Sequence, residues 1–488
     1  MITNVKFRMY DTGSVGDCLL LLFYENSQLA FKMLIDCGGW KTNAASVNPA
    51  VEDIFTTCNG QIDLLVVTHQ HKDHVSGFNY AREIFERLEV KQVWMSWMEN
   101  PKDAIAKKVK DAYGKKIKST IAVVKGLQDR LTQISRQSFP ATRVGKNVEA
   151  KRRKTAKAIS LLLFEEGEDY GRGARKGAAT NQDAMDFVKR KGTNPIRYWK
   201  PGEVATDVEG APGVKFFMLG PPRDADLKMF FTKTEVEEEI YKLAASSGET
   251  IESLPAEAIL TRAGVALQQN VSPFSPRFHV TGKAMAAWQR EYQREDMRWR
   301  QIETDSAESA LGIALEANRY INNTSFAMAI ELPGKGKVLL LPGDAQSGNW
   351  MSWHKPDVMK NLKQNGGKDT VELLRDTVFY KIGHHCSKNG TASVSGLELM
   401  NSPNLVGAIP LIKSAIPDAW VPSGFPARSL YKKLIEHTQG RLIRLDEGIV
   451  HDARAKKLRE DIPPTERKAF TKAYKKGSCY HEFTIHAE

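Results

Sequence analysis

Long apolar runs and paired cysteines are both missing from this 488-residue chain. No segment approaches the roughly 20 apolar residues that a membrane-spanning helix requires, and the N-terminus does not have the pattern of a secretion signal. The five cysteines are scattered without a Cys-x-x-Cys pair, so we expect reduced thiols. Internal repeats and low-complexity tracts are absent as well. These absences predict a cytoplasmic protein without a membrane partner.

Composition and charge are those of a globular chain with a basic surface. Hydrophobic residues make up 41% and charged residues 26% of the chain. The length exceeds one ordinary core, which predicts two or three domains, or one domain with large insertions. Lysine and arginine outnumber aspartate and glutamate by 70 to 58, which gives a net charge of +12. This excess favours DNA or RNA as a partner, and a basic surface that only maintains solubility is the other interpretation.

A short stretch after the apolar run 64–67 is rich in metal-binding side chains. Its three histidines and one aspartate are His69, His71, Asp73 and His74. Along an extended backbone, residues two apart point the same way, so the first two histidines can bind one ion. The aspartate and the third histidine follow a turn into a predicted helix and would face a second ion. The stretch therefore predicts a two-metal cluster, and the alternative is a polar loop that happens to be rich in histidine.

An abrupt stop follows the predicted strand 31–35. It is formed by Asp36-Cys37-Gly38-Gly39, and a glycine-rich bend at 13–17 precedes the strand before it. The carboxylate of Asp36 has two interpretations that do not exclude each other. It can hydrogen-bond a metal ligand, or it can cap the turn.

The order of these motifs resembles the metallo-β-lactamase fold, and most closely the metallohydrolase domain of competence DNA-internalisation proteins and their soluble relatives. Asp11-Thr12-Gly13-Ser14-Val15-Gly16-Asp17 matches the DxGxGD opening of that group with one extra residue. Ile35-Asp36-Cys37-Gly38-Gly39 matches its IDGG-like turn, and the HxHxDH motif comes next. The resemblance implies a four-layer αββα sandwich with two metal ions, and it places Asp17 beside the site.

A later strand end supplies the next motif of the resembled group. The apolar run 338–341 leads to Gly343 and Asp344. In the resembled fold, the aspartate at this place bridges the two ions, which one carboxylate with two oxygens can do. A glycine followed by an aspartate alone usually marks only a turn, but its place after an apolar strand strengthens the assignment.

A second histidine motif follows the predicted strand 378–382. His384-His385-Cys386-Ser387 looks like the HHGS motif of the group, with cysteine where glycine is usual. By resemblance to related phosphodiesterases, His385 completes the second metal, and His384 lies at the substrate as an acid or a phosphate contact. The reverse assignment stays open, because adjacent residues on an extended chain face opposite ways. Lys381 and Lys388 flank the motif, either as contacts to an anion or as ordinary surface lysines.

The wider fold often supplies a further histidine before the bridging aspartate. From Val75 to Gly343 the sequence offers only His279, which we do not favour as a ligand. The competence-type group commonly has Asn-x-x-Ser there, and Asn322-Asn323-Thr324-Ser325 matches it, so Asn323 and Ser325 become candidates for contacts with the ligands or the substrate. Fewer nitrogen ligands at the first metal would favour Mn²⁺ beside Zn²⁺.

The resemblance covers about half of the chain and leaves two insertions. The predicted segments are residues 1–99 (first half of the core), 100–193 (a basic helical insertion), 194–222 (core strands), 223–320 (a helical insertion) and 321–488 (second half of the core with a C-terminal extension). The basic run 151–154 and the aromatic and arginine-rich stretch 285–300 are able to contact phosphates and bases. A solvated face for the first and a packing face for the second are the other interpretations.

These patterns together predict a metal-dependent hydrolase, in which a metal-bridging hydroxide attacks phosphorus or a carbonyl. The candidate ligands are His69, His71, Asp73, His74, Asp344 and His385, and the candidates for catalysis are Asp73 and His384. By resemblance and net charge, the expected activity is that of a phosphodiesterase or nuclease on nucleic acid or nucleotides. The alternatives are a hydrolase of a small ester, lactone or choline-type phosphodiester, and a protein-binding component that docks through its insertions. The oligomeric state stays open.

Overall fold

The computed structural model describes residues 1–137, 179–223, 321–416 and 426–488, together with Glu149, Arg153, Glu291 and Arg294. His279, the basic run 151–154 and the stretch 285–300 lie outside the described residues, apart from the single positions just named. The chain divides into two compact units. One comprises Met1–Val109, Lys176–Ser246 and Arg319–Glu488, and the other comprises Lys110–Arg175 and Ser247–Asn318. Both sheets and the candidate site belong to the first unit, and the predicted domain boundaries stay a prediction.

The first sheet has eight strands and is mixed. In spatial order they are β15 (Tyr474–Lys476), β16 (Tyr480–His486), β1 (Asn4–Tyr10), β2 (Cys18–Glu25), β3 (Gln28–Cys37), β4 (Gln61–Val66), β5 (Glu89–Ser96) and β6 (Arg197–Trp199). Strands β3 to β6 run parallel, whereas the other neighbours are antiparallel.

The second sheet also has eight strands and is mixed. In spatial order they are β14 (Gly448–Ile449), β13 (Leu442–Arg444), β12 (Val406–Ile409), β11 (Thr377–Lys381), β10 (Val338–Leu341), β9 (Met328–Glu331), β8 (Lys215–Met218) and β7 (Val204–Ala205). Strands β10 to β13 run parallel, and the others pair antiparallel. The parallel strands are short apolar runs, as expected for strands that are buried on both faces.

Helices connect and cover these strands. In the described residues they are α1 (Ala44–Thr57), α2 (Lys72–Tyr80), α3 (Arg82–Arg87), α4 (Ala104–Gln137), α5 (Asn181–Lys191), α6 (Ser347–Ser352), α7 (Pro356–Gly366), α8 (Thr370–Arg375), α9 (Arg428–His437), α10 (Ala453–Asp461) and α11 (Pro464–Ala473). Capping boxes begin α5 at Thr180 and α8 at Asp369, where each side chain accepts a backbone N–H of the first turn. Among the described helices, none is long and apolar enough to cross a membrane.

The two sheets pack face to face, and helices cover their outer faces. Along β2, Leu19 and Leu21 belong to an apolar cluster shared by both sheets, whereas Leu20 belongs to a second cluster shared with α1 and α2. The rings of Phe7 on β1 and Phe379 on β11 lie 4.7 Å apart in the shared cluster. A third cluster joins the second sheet to α6 through α10. The mixed α/β class and the two sheets agree with the prediction from sequence.

The candidate site residues gather at one edge of the two sheets. Because β3 and β4 run parallel, as do β10 and β11, each pair ends on the same side of its sheet. Asp36 lies near the end of β3, and residues 68–74 follow β4. Asp344 follows β10, and residues 384–385 follow β11. A backbone hydrogen bond of 2.9 Å joins the loop after β4 to the residues before β9, so the two edges meet.

Candidate metal centre

The first two histidines of the loop after β4 point toward a common position. His69 and His71 are 2% and 3% exposed, and Nε2 of the former lies 3.0 Å from Nδ1 of the latter. Two nitrogens that each lie about 2.0–2.1 Å from one zinc ion are separated by roughly 3–3.4 Å. The observed separation is compatible with two ligands of one ion, and it is also the length of a hydrogen bond between the two rings.

The third histidine of the loop is oriented by a carboxylate. Nδ1 of His74 donates to Oδ2 of Asp36 at 2.8 Å, which leaves Nε2 as the ligand atom. The same carboxylate accepts the backbone N–H of Thr68 at 2.8 Å and its hydroxyl at 2.6 Å. Since that hydroxyl also lies 3.0 Å from Nδ1 of His69, Asp36 acts on both histidines, directly on one and through Thr68 on the other.

A second group of ligand atoms converges beside the first. The ligand atoms of Asp73, His74, Asp344 and His385 all lie within 4.8 Å of one another, and all four residues are buried. Nε2 of His385 is 3.2 Å from Oδ2 of Asp73, and Nε2 of His74 is 3.1 Å from Oδ2 of Asp344. Nδ1 of His385 bonds the carbonyl oxygen of Pro410 at 2.8 Å, so its Nε2 also faces the group.

These residues fit a divalent cation. Oδ1 of Asp73 is buried and has no hydrogen-bond partner, although burying an unpaired carboxylate oxygen costs free energy. The donor set is imidazole nitrogen and carboxylate oxygen, which suits Zn²⁺ and Mn²⁺. A cation among these atoms would satisfy the unpaired oxygen.

The loops of the site approach each other closely enough to require glycine. Backbone N–H groups of Asp17 and Gly38 donate to the carbonyls of Asp73 and Asp17, both at 2.9 Å. A Cβ on Gly38 would lie 2.4 Å from the carbonyl carbon of Asp73 and 2.5 Å from the nitrogen of His74. The glycine-rich bend and the stop after β3 therefore pack directly against the metal-binding loop.

Burial excludes one of the two interpretations that the sequence position of Lys381 offered. It is 0% exposed, so it is not an ordinary surface lysine, whereas a contact to an anion of the substrate stays a prediction. Its ammonium pairs with Oδ2 of Asp17 and lies 3.4 Å from Oδ1 of Asp344 and 3.0 Å from the carbonyl oxygen of Gly343. A lysine inside an otherwise apolar strand was the signal for this burial, because a buried lysine needs a carboxylate partner.

The pKa values follow from the excess of carboxylates. Burial opposes a charge on His74, but Asp344, Asp36 and Asp17 outweigh it and raise the pKa of this imidazole well above its ordinary value. Burial also opposes a charge on His385, and the hydrogen bond to Asp73 with the other carboxylates raises its pKa in the same way. The pocket thus attracts positive charge, and a cation that binds there would displace protons.

The pKa values of two carboxyl groups, Asp344 and Asp73, are lowered, whereas burial raises the pKa of Asp36 despite its contacts with His74 and Thr68. Burial alone would raise the pKa of Asp344, but His74 and Lys381 hold it well below the usual range. Against the same effect of burial, the hydrogen bond with His385 and the charge of His74 lower the pKa of Asp73 to about 2. Both groups are therefore ionised at neutral pH, as ligands of a cation must be.

His384 lies apart from the group of ligand atoms. Its backbone N–H donates to Oδ1 of Asp344 at 2.9 Å, whereas its ring lies against Asn322 and Gln346, at 3.2 and 3.4 Å, and near Ser387. Burial lowers the pKa of His384 to about 4, so the imidazole is neutral at pH 7. A neutral imidazole is not an imidazolium acid at pH 7, and the role of His384 at the substrate stays a prediction.

The remaining predicted residues differ in their placement. Ser325 accepts the backbone N–H of Asp344 at 3.1 Å and lies 3.3 Å from Nδ1 of His69, so the structure brings it to the ligands. Asn323 is 5% exposed, and its carbonyl oxygen accepts a hydrogen bond from Asn349 at 3.2 Å. Lys388 is exposed and makes no ion pair with the described residues, so its role at the substrate stays a prediction.

Sequence reasoning missed several partners of these residues. Thr68, Asn322, Gln346 and the carbonyl of Pro410 contact the ligands or His384, but none was named for that contact.

The chain matches no family model, no curated protein and no solved structure. The resemblance described above therefore rests on the motifs alone.

Proposed function

We propose that this chain is a metal-dependent hydrolase of the metallo-β-lactamase type, and that it acts as a phosphodiesterase or nuclease on nucleic acid or nucleotides. The convergence of Asp73, His74, Asp344 and His385 carries the proposal, because these buried ligand atoms lie within 4.8 Å of one another. They follow three strands, β4 of the first sheet and β10 and β11 of the second, and no role in packing explains so many buried ionisable groups in one place.

The site is rich in buried carboxylates, which supports the binding of cations. Those of Asp17, Asp36, Asp73 and Asp344 are at most 5% exposed, and one lysine ammonium pairs with Asp17 and lies 3.4 Å from Asp344. We assign one ion to His69 and His71 and a second to Asp73, His74 and His385, with Asp344 between them. Zn²⁺ and Mn²⁺ are the ions that this mixed donor set favours.

Residues around the ligands fix which atoms are offered. Asp36 and the carbonyl of Pro410 hold Nδ1 of His74 and of His385, so both imidazoles present Nε2. Oδ1 of Asp344 accepts the backbone N–H of His384, and Oδ2 has no hydrogen-bond partner among the described residues, so Oδ2 is the oxygen that would be available to a cation. Bound divalent ions supply Lewis acidity and lower the pKa of a coordinated water from about 16 toward 7.

Neutral polar groups around His384 would meet the substrate. Its imidazole and the amides of Asn322 and Gln346 are able to orient a phosphoryl oxygen without adding a full charge. A phosphodiester carries one negative charge, so neutral donors beside a cation pair suit it. The choice of nucleic acid over a small diester rests on the net charge of +12 and on the motif resemblance.

Metal analysis of the purified chain, coupled to cleavage assays, tests the proposal. DNA, RNA and bis-p-nitrophenyl phosphate are incubated with added Mn²⁺ or Zn²⁺, beside p-nitrophenyl acetate as an ester. An Asp73→Ala, His74→Ala variant should lose bound metal and activity. The matched control, His451→Ala with Asp452→Ala, removes the same side-chain types from exposed positions and should keep both. Activity that survives the first double substitution overturns the mechanism, and cleavage of the ester alone overturns the phosphodiesterase assignment.

A further inference from the structure

A single lysine ammonium is buried directly behind the candidate ligands. The side chain of Lys381 is 0% exposed, and the carboxylate of Asp17, with which it pairs, is 1% exposed. Oδ1 of Asp17 lies 3.7 Å from Nδ1 of His385, and Oδ2 of Asp17 lies 3.8 Å from Nδ1 of His74. Because both histidines present Nε2 to the ligand group, the ion pair lies on their opposite side.

The ion pair also joins the two sheets. Lys381 ends β11 of the second sheet, whereas Asp17 directly precedes β2 of the first. Nζ of Lys381 also lies 3.4 Å from Oδ1 of Asp344, the carboxylate that we assign between the two ions. The ammonium is thus close enough to influence every charge in the site, because burial leaves little water to screen it.

We propose that Lys381 is a built-in counter-ion, which stabilises the carboxylate cluster of the metal-free protein and thereby weakens the binding of divalent cations. The inference rests on the proposed metal centre. A positive charge that stabilises the metal-free state more than the loaded state must, by linkage, lower the affinity for metal. Lys381 is in this sense a positioning residue: it keeps the carboxylates of the metal-free site folded together, at some loss of affinity for metal.

A set of charge variants distinguishes the counter-ion role of Lys381 from a role in packing alone. Dissociation constants for Mn²⁺ alone are measured by competition with a chelating dye, and unfolding temperatures are recorded with and without Mn²⁺. Lys381→Met removes a positive charge and should tighten Mn²⁺ binding about tenfold or more. Asp17→Asn removes a negative charge and should weaken it, whereas the Asp17→Asn, Lys381→Met double variant keeps the net charge and should bind within about threefold of the wild type.

Unfolding temperatures give the second readout. Without metal, Lys381→Met should unfold at a lower temperature than the wild type, because Asp17 is left as an unpaired buried charge. Saturating Mn²⁺ should recover most of this loss, so the metal-induced rise in unfolding temperature is larger in the variant. A lysine that only fills space would give the same loss with and without Mn²⁺, and that result overturns the inference.

Lys368 provides a matched control. Its ammonium also contacts two carboxylates and a carbonyl, at 3.0 Å to Glu331, 2.8 Å to Asp376 and 2.7 Å to Gly336, but at the other end of β9 and β11. Lys368→Met should lower the unfolding temperature without changing Mn²⁺ affinity. Equal or weaker Mn²⁺ binding in Lys381→Met overturns the counter-ion role.

The test remains decisive if Lys381→Met does not fold without metal. The comparison then moves to Asp17→Asn and the double variant, in which adding Lys381→Met to Asp17→Asn should tighten Mn²⁺ binding. Unchanged affinity between those two overturns the inference. If the wild type binds neither Mn²⁺ nor Zn²⁺, the metal centre itself is overturned. If the wild type binds metal and the Lys381 substitution does not change the affinity, only the counter-ion role is overturned.

Discussion

Asp36 and His74 are joined by a 2.8 Å hydrogen bond from Nδ1 of the imidazole to Oδ2 of the carboxylate. Asp36 lies near the end of β3, His74 lies in the first turn of α2 after the neighbouring parallel strand β4, and both residues are 0% exposed. The same carboxylate holds the backbone and the hydroxyl of Thr68, which in turn contacts Nδ1 of His69. One buried carboxylate therefore orients a ligand from each of the two groups that we assign to metal ions.

Asp36→Asn should weaken metal binding about 10–100-fold, the usual cost of losing a group that orients a ligand. The carboxylate accepts hydrogen bonds from the Thr68 hydroxyl and from Nδ1 of His74 with a negatively charged oxygen. The amide of asparagine has no negative charge and cannot replace both bonds at the same strength. The affinity for Mn²⁺ and Zn²⁺ and the metal content after dialysis are the measurements. The unfolding temperature of the metal-free variant shows that the fold is retained.

Asp63→Asn is the matched control for that substitution. Asp63 is also buried, at 8% exposure, and accepts the backbone N–H of Lys32 at 2.9 Å, but it lies on β4 away from the strand end. It should lose stability without losing metal. An Asp36→Asn variant that binds metal as tightly as the wild type would show that the hydrogen bond has no part in orienting His74.

Local patterns in the sequence predict the parts of the site that depend on one strand end. The apolar run 338–341 coincides with β10, and the turn into a helix after His71 is α2. The spacing of two between His69 and His71 requires an extended backbone to bring the side chains together, and their nitrogens lie 3.0 Å apart. Such features depend on residues close in the chain, where period and turn chemistry are informative.

Contacts between distant strand ends are not accessible to that reasoning. The pairing of Lys381 with Asp17 depends on how the second sheet packs on the first, and the sequence position alone favoured exposure. The orientations of His384 and His385 likewise depend on a turn that departs from the extended chain assumed from sequence. The insertions match no motif of the resembled group, and their composition predicted helices with candidate contacts to phosphates and bases at 151–154 and 285–300.

His385→Ala and His384→Ala should have different effects on bound metal. Nε2 of His385 lies 3.2 Å from Oδ2 of Asp73, within the ligand group, so its loss should reduce the metal content by about one equivalent and abolish activity. The ring of His384 contacts Asn322 and Gln346 instead. Its loss should leave the metal content unchanged while lowering the rate of phosphodiester cleavage by about 10²–10³-fold.

Metal content by mass spectrometry and steady-state kinetics measure that difference. The two variants are each other's control, because they remove the same side chain from adjacent positions. If His384→Ala lost metal and His385→Ala retained it, His384 would be the ligand and His385 the residue at the substrate. This is the reverse assignment, which the sequence alone had left open.

Three successive residues other than glycine adopt positive φ in the turn after β11. His384, His385 and Cys386 have φ values of 48°, 48° and 66°, a conformation that costs about 1–2 kcal/mol for each such residue. Cys386 lies where the resembled motif has glycine, the residue for which this backbone costs least. The turn accepts that cost at a place where it directs one imidazole into the ligand group and the other away from it.

Cys386→Gly should therefore be more stable than Cys386→Ala by about 1 kcal/mol, because both variants lose the buried thiol and only alanine keeps the unfavourable φ. Cys58 is the matched control: it is also buried, but its φ is −89°, so Cys58→Ala should be more stable than Cys58→Gly. Unfolding temperatures of the four variants, recorded without metal, measure both orders. If alanine were the more stable replacement at both cysteines, the left-handed turn would not describe the backbone at Cys386, and the orientation of His384 and His385 derived from it would fall with it.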